Sequence, residues 1–171
     1  DMKWCPGVDF SAGSLGMGLS FGMGCAVAAR LENSDRRIFV MLGDGEIQEG
    51  SVWEAAMAAR HHELGNLKVI LDRNRIQNDD FCEVQMRMFD IPAKWKAFGW
   101  SVKEIDGHNM GEISEGLDFL ENTNDGPAIL IAHTIKGAGI SYMENNPSFH
   151  GAAPNDEQFH QAMVELGEVE A

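Results

Sequence analysis

Two short polar motifs, each directly after an apolar run, carry the strongest chemical signal in this sequence. The first is Gly43-Asp44-Gly45, and the second is Asp72-Arg73-Asn74, whose asparagine follows Asp44 by 30 residues. Mg²⁺ prefers oxygen ligands in octahedral geometry and usually retains water. The carboxylate of Asp44, the amide oxygen of Asn74 and the backbone carbonyl of Ile76 therefore suit a hard cation, with coordination positions left for two phosphate oxygens. The spacing predicts a diphosphate cofactor bound through a metal ion.

Other residues near these motifs suit a phosphate group. Gly45 lets the backbone approach a phosphate without a Cβ in the way, and a helix that starts after it offers free N–H groups. The loop after His133 carries Lys136, which is followed by Gly137 and Gly139. We expect Lys136 to balance the charge of a diphosphate.

The elements that position these residues alternate between strands and helices. The apolar run within 37–42, which a glycine follows, predicts a strand that is buried on both faces. Three more strands are predicted after it, and the stretches between the strands are long enough for crossover helices, which implies parallel strand order. The predicted strands are 37–42, 67–71, 100–105 and 128–132, and the predicted helices are 51–64, 92–98, 110–121 and 155–166. The expected fold is an α/β open parallel sheet with helices on both faces. Ligands of such sheets bind outside the carboxyl ends of the strands, where Asp44, Asn74 and the loop after Ala132 fall.

The composition of residues 10–29 resembles that of a transmembrane helix, because these 20 residues are uncharged and include Gly18-x-x-x-Gly22. Five glycines and three serines dilute the hydrophobicity of this segment. We therefore predict a buried helix with close neighbours. A dinucleotide-binding motif is the weaker alternative, since Gly16-Met-Gly18 lacks the third small residue and a preceding strand.

Composition limits the classes of partner. With 171 residues, 44% of them hydrophobic, the chain is long enough to bury the core of one domain. The 27 acidic and 13 basic side chains give a net charge of −14, which opposes binding to nucleic acid or to an anionic membrane. Three scattered cysteines without metal-type spacing favour a reducing, cytoplasmic compartment.

The motifs above and several others, in order along nearly the whole chain, resemble the diphosphate-binding domain of transketolase. The segment 49–55, Glu-Gly-Ser-Val-Trp-Glu-Ala, and the segment 150–154, His-Gly-Ala-Ala-Pro, are closer to transketolases than to other thiamine diphosphate enzymes. The matching segments are Gly13-Ser14-Leu15-Gly16, Gly43-Asp44-Gly45-Glu46, 49–55, Asp72-Arg73-Asn74-Arg75, Ala97-Phe98-Gly99-Trp100, Asp106-Gly107-His108, Lys136-Gly137 and Phe149-His150-Gly151.

The resemblance implies thiamine diphosphate and Mg²⁺ as cofactors, with Ca²⁺ or Mn²⁺ able to replace the magnesium. It assigns the metal to Asp44, Asn74 and the carbonyl of Ile76, and it places Gly13 and Leu15 in the loop that touches the thiamine ring. The full set of cofactor-binding residues that it implies is Gly13, Ser14, Leu15, Asp44, Gly45, Glu46, Asn74, Ile76, Lys136 and His150.

Three residues are implied to act in catalysis. His150 matches a histidine between the cofactor and the sugar hydroxyls, and a histidine that titrates near neutrality suits proton transfer there. Glu49 and Glu54 match acids at the dimer interface that help to connect the two cofactor sites. Glu54 has an alternative explanation, because Ser51 and Glu54 also form the pattern of a capping box at the start of a helix.

The implied activity is transfer of a two-carbon ketol unit from a ketose phosphate to an aldose phosphate, as in the pentose phosphate pathway. The activating glutamate and the donor-phosphate arginines belong, in the family, to a pyrimidine-binding domain that this sequence lacks. We therefore expect one diphosphate-binding domain over 1–171, without its first part, that works with a separate C-terminal subunit in an α2β2 assembly. A fragment of a fused enzyme is the rival explanation.

Other functions stay open at this point. The chain is alternatively the α subunit of a 2-oxoacid dehydrogenase, an enzyme of the deoxyxylulose-phosphate synthase type, or a non-catalytic remnant that binds cofactor or a partner. His108 and His133 are expected to be structural, and consecutive His61 and His62 point about 100° apart on a helix and cannot converge on a metal.

Overall fold

Four parallel strands form one sheet in the order β1-β2-β4-β3 in the computed structural model, which describes residues 3–169. The strands are β1 Ile38–Gly43, β2 Leu67–Arg73, β3 Ser101–Asp106 and β4 Ala128–His133. Their ends are in register, because Gly43 pairs with Asp72 and His133 pairs with both Arg73 and Asp106. The parallel α/β prediction is confirmed, and each strand starts and ends within two residues of its predicted bounds.

Helices lie between the parallel strands along the chain, as predicted for crossover connections. The helices are α1 Met17–Leu31, α2 Gly50–His61, α3 Cys82–Gln85, α4 Ile91–Ala97, α5 Met110–Asn122 and α6 Asp156–Glu165, and short 3₁₀ turns occupy Glu46–Gln48 and Pro147–Phe149. The four-residue helix α3 was not predicted, because so short a segment has no periodicity to detect.

The core lies on both faces of the sheet, but unequally. On one face, α1, α2 and α4 cover Leu42, Val69 and Ile131. On the other face, α5 covers Leu130 and Ile105. The prediction that strand β1 is buried on both faces is wrong for residues 3–169. Nothing in this range covers β1 on the α5 side, where Phe39 is 47% exposed and Met41 70% exposed.

Helix α1 accounts for the apolar segment 10–29. It begins after Gly16, whose φ of 83° is left-handed, and it buries one stripe against the sheet. A Cβ added at Gly22 would lie 2.4 Å from Cγ2 of Val40 in β1. Within residues 3–169 no helix is long and apolar enough to span a membrane. The prediction of a buried helix with close neighbours is confirmed for this stripe.

The predicted capping box at the start of α2 is wrong. The helix begins one residue earlier, after Glu49, and no side chain caps it. Ser51 instead donates its hydroxyl to the carbonyl of Gly16 at 3.2 Å. Capping therefore does not explain Glu54. A capping box does occur at α6, where Asn155 and Gln158 bond each other's backbone N–H groups.

Candidate cofactor site

The loops after all four strands meet at the carboxyl edge of the sheet. The backbone N–H of Asp44 donates to the carbonyl of Asp72 at 3.2 Å, and that of Thr134 donates to the carbonyl of Arg73 at 3.3 Å. The N–H of Gly107, after β3, donates to the carbonyl of His133 at 2.8 Å. Backbone hydrogen bonds therefore hold the four strand tips together where the site was predicted.

Asp44 is the most buried carboxylate of the site. Its side chain is 1% exposed and forms an ion pair with Nη1 of Arg73 at 2.9 Å. The backbone N–H of Arg75 donates to Oδ2 of Asp44 at 2.5 Å, and the thiol of Cys82 donates to Oδ1 at 3.2 Å. Because Cys82 is buried and lies beside this carboxylate, the pKa of its thiol rises to about 12. Asp44 therefore joins the tip of β2 to the start of α3.

Arg73 bridges two acids. Its Nη2 donates to Oε1 of Glu83 at 2.8 Å, while its Nη1 holds Asp44. Burial opposes the charge of Arg73, but the hydrogen bonds to Asp44 and Glu83 outweigh burial, so the pKa of this guanidinium is raised. The group stays cationic in the folded protein.

Asn74 is oriented by Asp72. The amide Nδ2 of Asn74 donates to Oδ2 of Asp72 at 2.9 Å, and Oδ1 of Asn74 accepts from the N–H of Ile76 at 3.0 Å. The other carboxylate oxygen of Asp72 accepts from the hydroxyl of Thr134. Asp72 thus fixes which end of the amide serves as the acceptor and ties it to the loop after β4.

Glu46 connects the glycine-rich loop before α1 to the tip of β1. Its two carboxylate oxygens accept from the N–H of Gly16 at 3.0 Å and from the N–H of Gly43 at 3.1 Å. The preceding residues, Gly13, Ser14 and Leu15, form an exposed loop, and Leu15 is 62% exposed. The loop predicted to touch the thiamine ring is therefore anchored beside the Gly43-Asp44-Gly45 motif and open to solvent.

Lys136 lies in a loop that two contacts hold in place. The N–H of Ile135 donates to Nε2 of His108 at 2.8 Å, and the carbonyl of Lys136 accepts from Asn145 at 3.0 Å. A cleft of about 430 Å³ runs from this loop to the strand tips. Its polar lining includes Asp72, Asn74 and Lys136, and its apolar lining includes Ile70, Ile105 and Leu130.

The donor set fits a hard cation. A carboxylate has about four lone-pair sites, and Asp44 accepts three bonds, which leaves one; Oδ1 of Asn74 likewise keeps one of two. Across residues 3–169, no three or more His, Cys, Asp or Glu side chains are grouped to hold a metal ion. A cation here would therefore depend on the mixture of carboxylate, amide and carbonyl oxygens that Mg²⁺ accepts.

Comparison with known proteins decides the family. Residues 1–170 match the family described as transketolase, thiamine diphosphate binding domain. This chain belongs to the transketolase family. It is 42% identical over 163 residues to one subunit of the apulose-4-phosphate transketolase of Phocaeicola vulgatus, a match that covers 95% of this chain and 58% of the relative.

Two further transketolases agree with this assignment. The 6-deoxy-6-sulfo-D-fructose transketolase subunit SqwG of a Clostridium strain is 36% identical, over 97% of this chain and 60% of its own length. The crystal structure of Campylobacter jejuni transketolase superposes with a TM-score of 0.88 and 29% identity, over 94% of this chain and 26% of that one. This chain thus spans about three fifths of the length of the subunit relatives. The match favours the transketolase branch over the dehydrogenase and synthase alternatives.

The transketolase fold brings most of the predicted cofactor residues to one edge. Asp44, Gly45, Glu46, Asn74 and Ile76 follow β1 and β2, and Lys136 follows β4. Gly45 is packed closely, since an added Cβ would lie 2.7 Å from Cβ of Gln77.

The three predicted catalytic residues are not joined to this group by side-chain bonds. Glu49, Glu54 and His150 are exposed, and within residues 3–169 none of their side chains has a hydrogen bond or an ion pair. The roles assigned to all the site residues remain predictions.

Sequence reasoning misses the residues that hold the site together. It assigns no role to Arg73, Cys82 or Asp72, although all three bond to Asp44 or Asn74. Burial of the strand was the available signal for Arg73, because a charged residue next to Asp72 at the end of a buried strand needs an ionic partner. Its partner Glu83 lies on the unpredicted helix α3.

Proposed function

We propose that this chain is the N-terminal, thiamine diphosphate-binding part of a split transketolase, which transfers a two-carbon ketol unit when a C-terminal subunit supplies the pyrimidine-binding domain. The supporting observation is the convergence of Asp44, Asn74 and Lys136 on one sheet edge, in a chain that is 42% identical to a protein named as one subunit of a transketolase. We further propose an α2β2 assembly in the cytoplasm, and the free state of the three cysteines is compatible with a reducing compartment.

The proposed cofactor-binding residues differ in the part of the cofactor that each would contact. Asp44, Asn74 and the carbonyl of Ile76 would hold Mg²⁺, and Lys136 would balance the diphosphate charge. Gly13, Ser14 and Leu15 would contact the thiamine ring, and Gly45 and Glu46 would shape the loop under the diphosphate. When bound, the cofactor supplies the carbon nucleophile that breaks and remakes the bond next to a ketose carbonyl.

Of the proposed catalytic residues, one would transfer protons and two would contact a second subunit. His150 is exposed at the end of the turn Pro147–Phe149, where a bound sugar hydroxyl would exchange a proton with it. Glu49 and Glu54 are exposed around the start of α2, which suits contact with a second subunit.

The substrates are proposed only as a class. The subunit relatives are named for apulose-4-phosphate and for 6-deoxy-6-sulfo-D-fructose, so the donor of this chain is a ketose or a modified ketose, with an aldose phosphate as the acceptor. The pentose phosphate pathway is one of the pathways that would supply such substrates.

The test is a reconstitution. The full-length protein is mixed with the product of the neighbouring candidate partner gene, Mg²⁺ and thiamine diphosphate, and each donor is offered with ribose 5-phosphate. The donors are xylulose 5-phosphate, apulose 4-phosphate and 6-deoxy-6-sulfofructose. We expect a product two carbons longer than the acceptor with at least one donor, and none when either subunit is omitted.

The outcomes separate the functions considered. Formation of sedoheptulose 7-phosphate from xylulose 5-phosphate supports a role in the pentose phosphate pathway. Turnover of another donor instead supports the same reaction in the pathway of that donor. Cofactor binding without turnover of any donor would favour the non-catalytic remnant and overturn the proposal.

A further inference from the structure

We propose that Arg73 is an internal counter-cation for Asp44 and so sets how tightly the cofactor site binds its divalent metal. The inference rests on the proposed metal site, and Arg73 acts through Asp44 as a positioning residue.

The geometry places one guanidinium between two acids. Arg73 ends β2 and is 9% exposed, with Asp44 at 2.9 Å on one nitrogen and Glu83 at 2.8 Å on another. Asp44 is almost fully buried, whereas the side chain of Glu83 is 46% exposed. The strong interaction of Arg73 is therefore the one with Asp44, because a buried pair is screened less by solvent.

A buried carboxylate needs a compensating charge. Removing one partner of a buried ion pair is strongly destabilising, because it leaves an uncompensated charge in a medium of low polarity. In the metal-free protein, Arg73 supplies that positive charge to Asp44. A divalent cation bound to Asp44 would supply positive charge to the same carboxylate and would repel the guanidinium beside it.

The stabilising effect of Arg73 therefore differs between the metal-free and the metal-loaded protein. Arg73 stabilises the metal-free protein more than the metal-loaded one, and a group that favours the unbound state lowers the apparent affinity for the ligand. Loss of Arg73 should therefore tighten metal binding while it weakens the metal-free fold.

Glu83 adjusts the strength of this effect. It shares the guanidinium and draws part of its charge away from Asp44. Without Glu83, Arg73 would pair with Asp44 alone and compete more strongly with the metal. Loss of Glu83 should therefore weaken metal binding, which is the opposite of the effect of losing Arg73.

The experiment measures metal affinity in the full-length protein, together with its partner subunit, at 0.15 M salt. Isothermal calorimetry with Mg²⁺, and paramagnetic resonance with Mn²⁺, are run with and without thiamine diphosphate. We expect Arg73→Met to tighten metal binding by about tenfold or more, since unit charges a few Å apart interact strongly even near a protein surface. We expect Glu83→Gln to weaken it at least about threefold, a smaller change because Glu83 is half exposed.

Two controls identify the cause. Arg75→Met removes the same charge from an exposed position two residues further along the chain, and we expect it to change the affinity less than about twofold, because solvent screens exposed charges. In the Arg73→Met background, Glu83→Gln should lose most of its effect. Equal tightening by Arg75→Met, or an undiminished effect of Glu83→Gln without Arg73, would overturn the inference.

Folding provides a second readout. In EDTA, Arg73→Met should melt at a lower temperature than wild type, and Mg²⁺ should raise its melting temperature by more than it raises that of wild type. An equal rise in both proteins would contradict the counter-cation role.

Asp44→Asn separates this inference from the proposed function. If Asp44→Asn binds Mg²⁺ as tightly as wild type does, the proposed metal site itself is wrong. If Asp44→Asn loses the metal and Arg73→Met fails to tighten binding, only the role of Arg73 is refuted.

Discussion

Three carboxylates at the strand tips each join separate segments of the chain around the candidate site. Asp44 joins the tip of β1 to that of β2 and to α3, Asp72 joins Asn74 to Thr134, and Glu46 joins the glycine-rich loop to β1. Ionised acceptors form stronger hydrogen bonds than neutral ones, so a few such residues suffice to order loops that otherwise lack a core. These bonds fix the loops of the candidate site relative to one another.

Glu46 gives a direct test of this organisation. Glu46→Gln keeps the shape of the side chain but replaces one acceptor with an N–H₂ that faces a backbone N–H. We expect a loss of about 1.5–3 kcal/mol in the free energy of unfolding, the range for hydrogen bonds to charged groups. Urea denaturation measures it, and thiamine diphosphate affinity should fall in parallel as the 13–16 loop loosens.

The matched control for Glu46→Gln is Glu49→Gln, three residues along the chain. Glu49 is exposed, and its side chain bonds to none of residues 3–169, so its replacement should change stability by no more than about 0.5 kcal/mol. If both variants lose the same amount of stability, the negative charge of this part of the chain, rather than the two hydrogen bonds of Glu46, stabilises the loop.

At the scale of elements, close contact between α1 and β1 places the glycine-rich loop 13–16 beside the Gly43-Asp44-Gly45 motif. The contact depends on Gly22, because a methyl group there would meet the stiff side chain of Val40. Gly24 lies in the same helix but has open space where its Cβ would be. One helix thus holds a glycine required by packing and one that is not.

Alanine substitutions at these two glycines should act in opposite directions. Gly22→Ala should destabilise the protein by about 1–3 kcal/mol through overpacking. Gly24→Ala should stabilise it by about 0.5–1 kcal/mol, because alanine favours the helix. Thermal or urea unfolding of both variants decides this, and stabilisation by Gly22→Ala would contradict the tight contact with β1.

A buried lysine joins another pair of elements. Lys68 in β2 is 0% exposed and donates to the carbonyl of Thr123 just after α5. Burial, with a smaller effect from the nearby charge of Arg37, lowers the pKa of Lys68 below 10.5. The unfolded chain therefore binds this proton more tightly than the folded protein does.

The pH dependence of stability follows from that difference. Wherever the unfolded state binds more protons, stability rises with pH. The contribution of Lys68 should thus improve as pH climbs from its lowered pKa towards 10.5, by at most about 1.4 kcal/mol per pH unit. Lys68→Met should lack this rise. Urea denaturation of both proteins between pH 7 and 10.5 tests it, and parallel curves would refute the shift.

The sequence predicted elements better than it predicted the contacts between them. The strands were found because runs such as 69–71 and 128–132 are apolar and β2 and β4 are buried over most of their length. The start of α2 was placed wrongly because Ser51 has the residue type of a cap, whereas tertiary contact with Gly16 uses its hydroxyl. A local pattern cannot reveal that competition.

The same limit applies to the candidate site. Asp44 and Asn74 were predictable because each follows its own strand, and parallel strands end at one edge. The pairing of Arg73 with Glu83 was not predictable, because the chain reverses through the bridge between Ile76 and Phe81 before it returns to Asp44. Such contacts depend on loop conformation, which has no periodic signal in sequence.

At the scale of the whole molecule, strong acidity is combined with an uncovered apolar surface. The net charge of −14 opposes the approach of a diphosphate, so a bound cation and Lys136 would have to offset it locally. On the α5 side of the sheet, the exposed side chains of Phe39 and Met41 adjoin Ile70 and the apolar half of the cleft. Contiguous apolar surface of this kind marks an interaction surface or promotes association.

This surface should bind hydrophobic dyes in the 171-residue chain. Phe39→Thr combined with Met41→Thr keeps two strand-compatible residues in β1 but removes the apolar surface. We expect the fluorescence of bound anilinonaphthalene sulfonate to fall severalfold, and sedimentation velocity to show less self-association. Phe159→Gln removes an aromatic residue from α6, away from the sheet, that is even more exposed than Phe39, and should leave the dye signal nearly unchanged. If Phe159→Gln lowers the signal as much as the double variant does, scattered exposed side chains bind the dye, and the face formed by β1 and β2 has no special affinity.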